Sequence, residues 1–322
     1  MNHKEIVKRT VDMKCPSRVP LLFLNKDIEK SDIVSVMYKE ANDFEFKGTN
    51  ISEWGFEWEC LDDTMGQPKH PPITSWDKIK SYKIPDPNAA GRFDHVQDFI
   101  DKNNDKYLIG GLGLSGFNFV TFIRGFENTL EDLYVDKENI NMLIDMVFSF
   151  ESEIIRNYGK FEFDAISFGD DWGTQNSLMI SPVQWRDVFK PKYKAQFDIV
   201  HEQGMHVYFH SCGYIYEIIP DLIEIGVDIL NLNQPDLFGI ERLGRDFGGK
   251  VCFNCPVDHQ TIAITGTRKE IFDYVKRLDN NLGRFNGGFI GYIEEYHSIG
   301  MSPDNYNSIV EAFESLNSNP NT

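Results

Sequence analysis

The chain has 322 residues, 41% hydrophobic and 25% charged, which suits a globular protein large enough for one large α/β domain or two ordinary ones. Its formal charge is −18, a field that repels phosphate backbones and anionic membranes and so speaks against nucleic-acid and membrane-surface partners. No segment reaches the roughly 20 apolar residues of a membrane span, the first twenty residues lack a signal-like apolar run, and the five cysteines are sparse and odd in number. Free thiols in the cytoplasm are the expectation.

In chain order, RVPLLFLN (18–25) reads as a first strand. About 45–100 follows as a capping elaboration. It includes ISEWGFEWECLDDTMGQPKHPPITSWDKIKSYKIPDP (51–87), rich in Trp, Pro and acids and without a clean period. Within it Trp54, Phe56 and Trp58 are either the insertion's own core or the wall of an aromatic pocket. KYLIGGLGL (106–114) reads as a strand and 140–159 as a helix. From Asp164 onward strand and helix alternate. The strands are 164–171, 205–210, 227–232, 250–255 and 287–293. The helices are 181–204, 214–226, 238–248, 267–283 and 302–316; Ser181 and Ser302 cap two of them and Gly204 and Gly226 close two. The tail 317–322 is expected to fray.

This rhythm implies a parallel sheet. Seven strands are visible and an eighth is expected in the irregular part, so the reading is a single (β/α)8 TIM barrel over 1–322 with an N-terminal insertion; no glycine-rich phosphate loop supports the open-sheet alternative. Barrel enzymes work at the C-terminal ends of their strands. Here those ends carry Asp170 and Asp171, His210 and Cys212, Asn231 to Gln234, Cys255 to His259, and Glu294 and Glu295. Imidazole, thiolate and carboxylate are zinc ligands, and His210 and Cys212, two apart on an extended segment, can face one ion. Cys255 and Glu295 are the two candidates for a third ligand. Against this stands the plainer reading that Cys212 is a packed thiol and that Asp170 and Asp171 only cap a helix.

FHSCG with its following helix and GVDILNLNQP resembles the uroporphyrinogen decarboxylase superfamily, in its zinc methyltransferase branch. GDDWGTQNSLMISPVQWRDVFKPKYK (169–194) and GGFIGYIEEYHSIGMSPDNYNSIVEAF (287–313) are similar to further blocks of it, so the likeness covers about 100–315. The resemblance implies a methyl group moved between a small substrate and the cobalt of a corrinoid (cobalamin) on a separate protein. Zn2+ would sit on His210 and Cys212. Asp170 or Asp171 would orient the substrate or supply a proton. Two features depart from the superfamily. Its decarboxylases carry an arginine-rich start, whereas only Arg9 and Arg18 stand here. Its methyltransferases place a cysteine on the last strand, where this chain has Glu294 and Glu295. A carboxylate ligand would leave more charge on the metal, which favours O-demethylation of a methoxylated compound. Methylation of a thiol, a metal-free decarboxylase-like lyase and a non-catalytic binder of a corrinoid protein are the alternatives. Self-association is left open.

Overall fold

A computed structural model describes residues 1–45, 50–60, 66–297 and 299–317. The expected frayed end from 318 onward lies outside the described residues, as do 46–49 and 61–65 of the expected cap.

Ten strands are described: β1 (Leu21–Leu24), β2 (Ile33–Met37), β3 (Glu57–Glu59), β4 (Gln67–Lys69), β5 (Tyr107–Leu114), β6 (Ala165–Gly169), β7 (His206–His210), β8 (Ile229–Asn231), β9 (Cys252–Pro256) and β10 (Phe289–Glu294). Eight form one parallel sheet in the order β1-β10-β9-β8-β7-β6-β5-β2, with β1 and β2 in contact where it nearly closes. This is the expected (β/α)8 barrel. The eighth strand is β2; Ile33 and Val34 are buried and register with Tyr107 and Leu108.

Period-two alternation divides the strands between two cores. Ile33, Ile109, Tyr208, Ile229, Cys252 and Ile290 point into the barrel. Their neighbours face the helices. The N-terminal helix His3–Val11 puts Val7 and Val11 into the same inner cluster, and Lys4 and Lys8 reach Asp164. One end of the barrel is thereby plugged.

The helical expectations hold with two refinements. The segment 181–204 is two helices, Pro182–Val188 and Lys190–Glu202, because Pro191 cannot continue the earlier hydrogen-bond ladder. Gly116–Arg124 and Phe126–Val135, unread in the sequence, are helices separated by Gly125 at φ 91°. Of the expected cap, β3 and β4 form an antiparallel hairpin, and Trp54 and Phe56 are buried with their rings 4.9 and 5.6 Å from that of Phe119. These side chains pack between cap and barrel and, with Tyr38 and Phe119, also line a cleft of about 260 Å³.

Candidate metal centre

The site begins with two neighbouring strand ends that zip together. After β6 and β7 the backbones of 170–174 and 210–214 run side by side: Asp170 N donates to His210 O, Gly173 N to Cys212 O and Tyr214 N to Thr174 O. Gly213 has φ +76°, and a Cβ there would lie 2.1 Å from Gly173 O, so both positions need glycine. The crossing brings Asp171 to the HSC segment. Its Oδ1 accepts from Cys212 N at 2.7 Å and stands 3.5 Å from His210 Nε2; Cys212 Sγ lies 3.4 Å from the same nitrogen.

Asp171, His210 and Cys212 thus offer one donor each within 4.8 Å of one another. Tetrahedral zinc with bonds of about 2.0–2.3 Å holds its donors about 3.3–3.6 Å apart. The two separations on the imidazole match that spacing. The electrostatics agree. Burial first, and then the charges of Asp171 and Glu294, push the Cys212 thiol well above its ordinary pKa. A divalent ion on Cys212 and Asp171 would offset this and favour the thiolate.

The imidazole is oriented from behind. His210 Nδ1 is 2.6 Å from Asn231 Oδ1, and Asn231 Nδ2 donates to Asn254 O at 2.8 Å. Asn254 Oδ1 accepts from Tyr208 OH at 2.7 Å, and Asn254 Nδ2 donates to Ile290 O at 3.1 Å. A carboxamide oxygen can only accept, so Nδ1 carries the proton and Nε2 keeps its lone pair toward the cluster. Asn231 was visible at a strand end in the sequence, but its role was not.

The remaining expected site residues are placed elsewhere. Cys255 is fully buried and belongs to the helix-side core, because it stands three residues from the inward-facing Cys252. Burial pushes its thiol up to about 12. Glu295 also falls on the wrong register: Glu294 lines the central cavity, while Glu295 accepts from His297 N at 2.8 Å. Among the described residues neither expected third ligand joins His210 and Cys212; the carboxylate that does is Asp171. Asp170 is fully buried, and its oxygens take the N–H groups of Phe117 and Asn118 at 2.8 and 2.9 Å and the Tyr193 hydroxyl. It caps the helix Gly116–Arg124 and is not one of the three donors that meet in the cluster.

Below the cluster lies a cavity of about 280 Å³, bounded by Leu22, Leu24, Ile109, Tyr208, Tyr292 and Glu294 among others. Ser35, Ser167 and Asn233 add neutral polar groups, and no Arg or Lys is among the described residues that line it. It is small for a bound ligand and open at the C-terminal ends of the strands.

A family model described as uroporphyrinogen decarboxylase (URO-D) matches residues 53–315. The chain belongs to the uroporphyrinogen decarboxylase family. Among solved structures it is similar to a methyltransferase from Methanosarcina mazei. The TM-score is 0.75 at 10% identity, over 98% of this chain and 99% of that one. A D-psicose 3-epimerase covers 76% of this chain and 84% of its own at 12% identity, with a TM-score of 0.41. No curated protein matches the chain. Within the uroporphyrinogen decarboxylase family this barrel therefore combines a methyltransferase-like fold with a three-donor cluster at its mouth. Among the described residues no helix is long and apolar enough to cross a membrane.

Proposed function

We propose that this protein is a zinc-dependent methyltransferase that moves a methyl group between a small substrate and the cobalt of a corrinoid carried by a separate protein. The observation that carries the reading is the meeting of Asp171, His210 and Cys212 at one point above the cavity, with donor spacings of 3.4 and 3.5 Å on the imidazole. The similarity to a methyltransferase in fold supports it.

His210 Nε2, Cys212 Sγ and an Asp171 oxygen would hold the ion. Bound there, zinc would supply Lewis-acid polarisation of the heteroatom that carries the methyl group, which lowers the barrier for a poor leaving group. The chain's own residues do the rest. Asn231 fixes the imidazole tautomer. The apolar walls of Leu22, Leu24 and Ile109 hold the body of the substrate and keep water from it. The mouth is left for the partner protein that brings the corrinoid.

O-demethylation of a methoxylated compound is the favoured direction. A site with one thiolate and one carboxylate leaves more positive charge on the metal than a site with two thiolates, and so suits an ether oxygen. A decarboxylase-like lyase acting on a polycarboxylate finds no cationic side chain among the described residues that line the cavity.

The test is the metal content of the purified protein, wild type against His210→Ala/Cys212→Ala. About one zinc per chain, lost in the variant, is the expected result, followed by methyl transfer to an added corrinoid protein. A metal-free wild type prepared without chelators overturns the reading.

A further inference from the structure

The cleft where the cap meets the barrel has the features of a second ligand site. It measures about 260 Å³, and Tyr38, Trp54, Phe56, Leu112 and Phe119 are among its walls. The indole of Trp54 meets the ring of Phe119 at 72°, and the ring of Phe56 meets it at 79°. Rings standing at such angles form a corner, where a flat guest can stack on one face and meet the edge of the next. An apolar cavity of about 150 Å³ suffices for a bare benzene ring, so this cleft has room for a substituted one.

The walls are held in place before any guest arrives. Ser52 N donates to Phe56 O at 2.8 Å and Gly55 N to Ser52 O at 2.8 Å, a tight turn that brings Ser52, Trp54 and Phe56 together. Fully buried Arg92 ties this turn to the segment just past β2. It donates to both oxygens of Glu53 at 2.9 and 2.8 Å and to Lys39 O at 3.1 Å. Tyr82 OH donates to Trp54 O at 2.7 Å. Walls fixed in this way lose little freedom on binding.

Two hydroxyls of the lining residues have no hydrogen-bond partner among the described residues. One is the buried Oγ of Ser52. The other is the phenol of Tyr38. Burial, first of all, raises its pKa, so it keeps its proton and can donate. A hydroxyl left unpaired among apolar rings is costly, and a guest's oxygen would relieve that cost. The cleft shares no lining residue with the central cavity. Met37 divides them: it lines the cleft, and its Sδ is 3.2 Å from where a Cβ on the cavity residue Gly113 would lie.

We propose that this cleft is a second ligand site, which takes a small one-ring aromatic molecule bearing an oxygen substituent and is separate from the metal centre. The ring packs against Trp54, Phe56 and Phe119, and the substituent oxygen accepts from Tyr38 OH. The site does not depend on the function proposed above.

The test is fluorine NMR of the full chain labelled with 5-fluorotryptophan. The five tryptophans give five signals, and Trp54→Phe assigns that of Trp54. The probe is 2-methoxyphenol. Its control is 2-methoxycyclohexanol, which keeps both oxygens and lacks the aromatic ring. The phenol is expected to shift the Trp54 signal saturably, with the control binding about fivefold more weakly or not at all. Tyr38→Phe, which keeps the wall ring, is expected to weaken the phenol about threefold or more. The His210→Ala/Cys212→Ala variant is expected to bind it as the wild type does. No shift of the Trp54 signal up to the solubility limit overturns the proposal. So does a control that binds equally well, or an affinity unchanged in Tyr38→Phe. A shift lost from the His210→Ala/Cys212→Ala variant also overturns it, because the guest would then belong to the central cavity. Should Tyr38→Phe not fold, the control compound decides. The two ideas fail separately: a zinc-free wild type that still shows the Trp54 shift counts against the function proposed above and leaves this site standing.

Discussion

Asn231 Oδ1 stands 2.6 Å from Nδ1 of His210 and, through Asn254, is tied to Tyr208 on the strand that bears the histidine. The imidazole is held by a buried amide whose own donors are occupied, so its free nitrogen can point only at Cys212 and Asp171. Asn231→Leu is expected to weaken zinc binding by about 10–100-fold, the usual cost of losing a partner behind a metal-bound histidine. Titration against a competing chelator measures it. Unchanged affinity would mean that the ring is held by its packing alone.

The adjacent acids Asp170 and Asp171 should separate by phenotype. Asp170→Ala strands three donors, from Phe117, Asn118 and Tyr193, in a fully buried place. A loss of about 2–5 kcal/mol in urea unfolding is expected, with zinc still bound by whatever fraction folds. Asp171→Ala is expected to lose the metal at a much smaller cost in stability. The same loss of stability in both would place the two acids in one structural role.

Gly213→Ala tests the crossing of the two strand ends. The residue holds φ +76°, and its new methyl would meet Gly173 O at 2.1 Å. The backbone penalty alone is about 1–2 kcal/mol, and the clash adds to it. Loss of zinc is expected although no ligand has changed. A variant with full zinc occupancy and an unchanged melting temperature would show that 210–214 can move apart from 170–174 without consequence.

Glu151 gives the stability a pH dependence. Burial raises its carboxyl to about 7 from an ordinary 4.5, against the opposing hydrogen bonds from Gln196 and Gly116. The folded state thus holds this proton more tightly than the unfolded chain does. The contribution is complete below about pH 4.5 and is lost as pH rises through 7, by at most about 3 kcal/mol. Glu151→Gln keeps the neutral shape. Between pH 5 and pH 8 its unfolding free energy is expected to fall less than that of the wild type. Parallel pH profiles for the two proteins would remove Glu151 as the cause.

Seven barrel strands and most of the helices after residue 136 are legible in the sequence, because apolar runs there are punctuated by caps and glycines. Strand β2 is short, and it precedes a stretch whose acids and tryptophans have no period, so nothing local marks it. At the site, His210 and Cys212 are legible because both lie on one extended segment. The third ligand is not. Along a strand an error of one residue exchanges the two faces, and that single step separates Cys255 from the inward-facing Asn254 and Glu295 from Glu294. Asp171 is visible as an acid at a strand end. What makes it a partner of Cys212 is the pairing of two loops about forty residues apart, which no local pattern records.

The helix His3–Val11, with Val7 and Val11 driven into the inner core, closes one end of the barrel, so among the described residues the strand-end mouth is the way in. Entry by that mouth runs past the three-donor cluster, and so does departure. For a reaction shared with a second protein this imposes a sequence of events. The small molecule is loaded while the rim is bare, the larger partner then covers it, and the spent molecule departs only after the partner has lifted away. Turnover would then be paced by the comings and goings of the partner, and an excess of that partner would slow the enzyme by keeping the doorway shut.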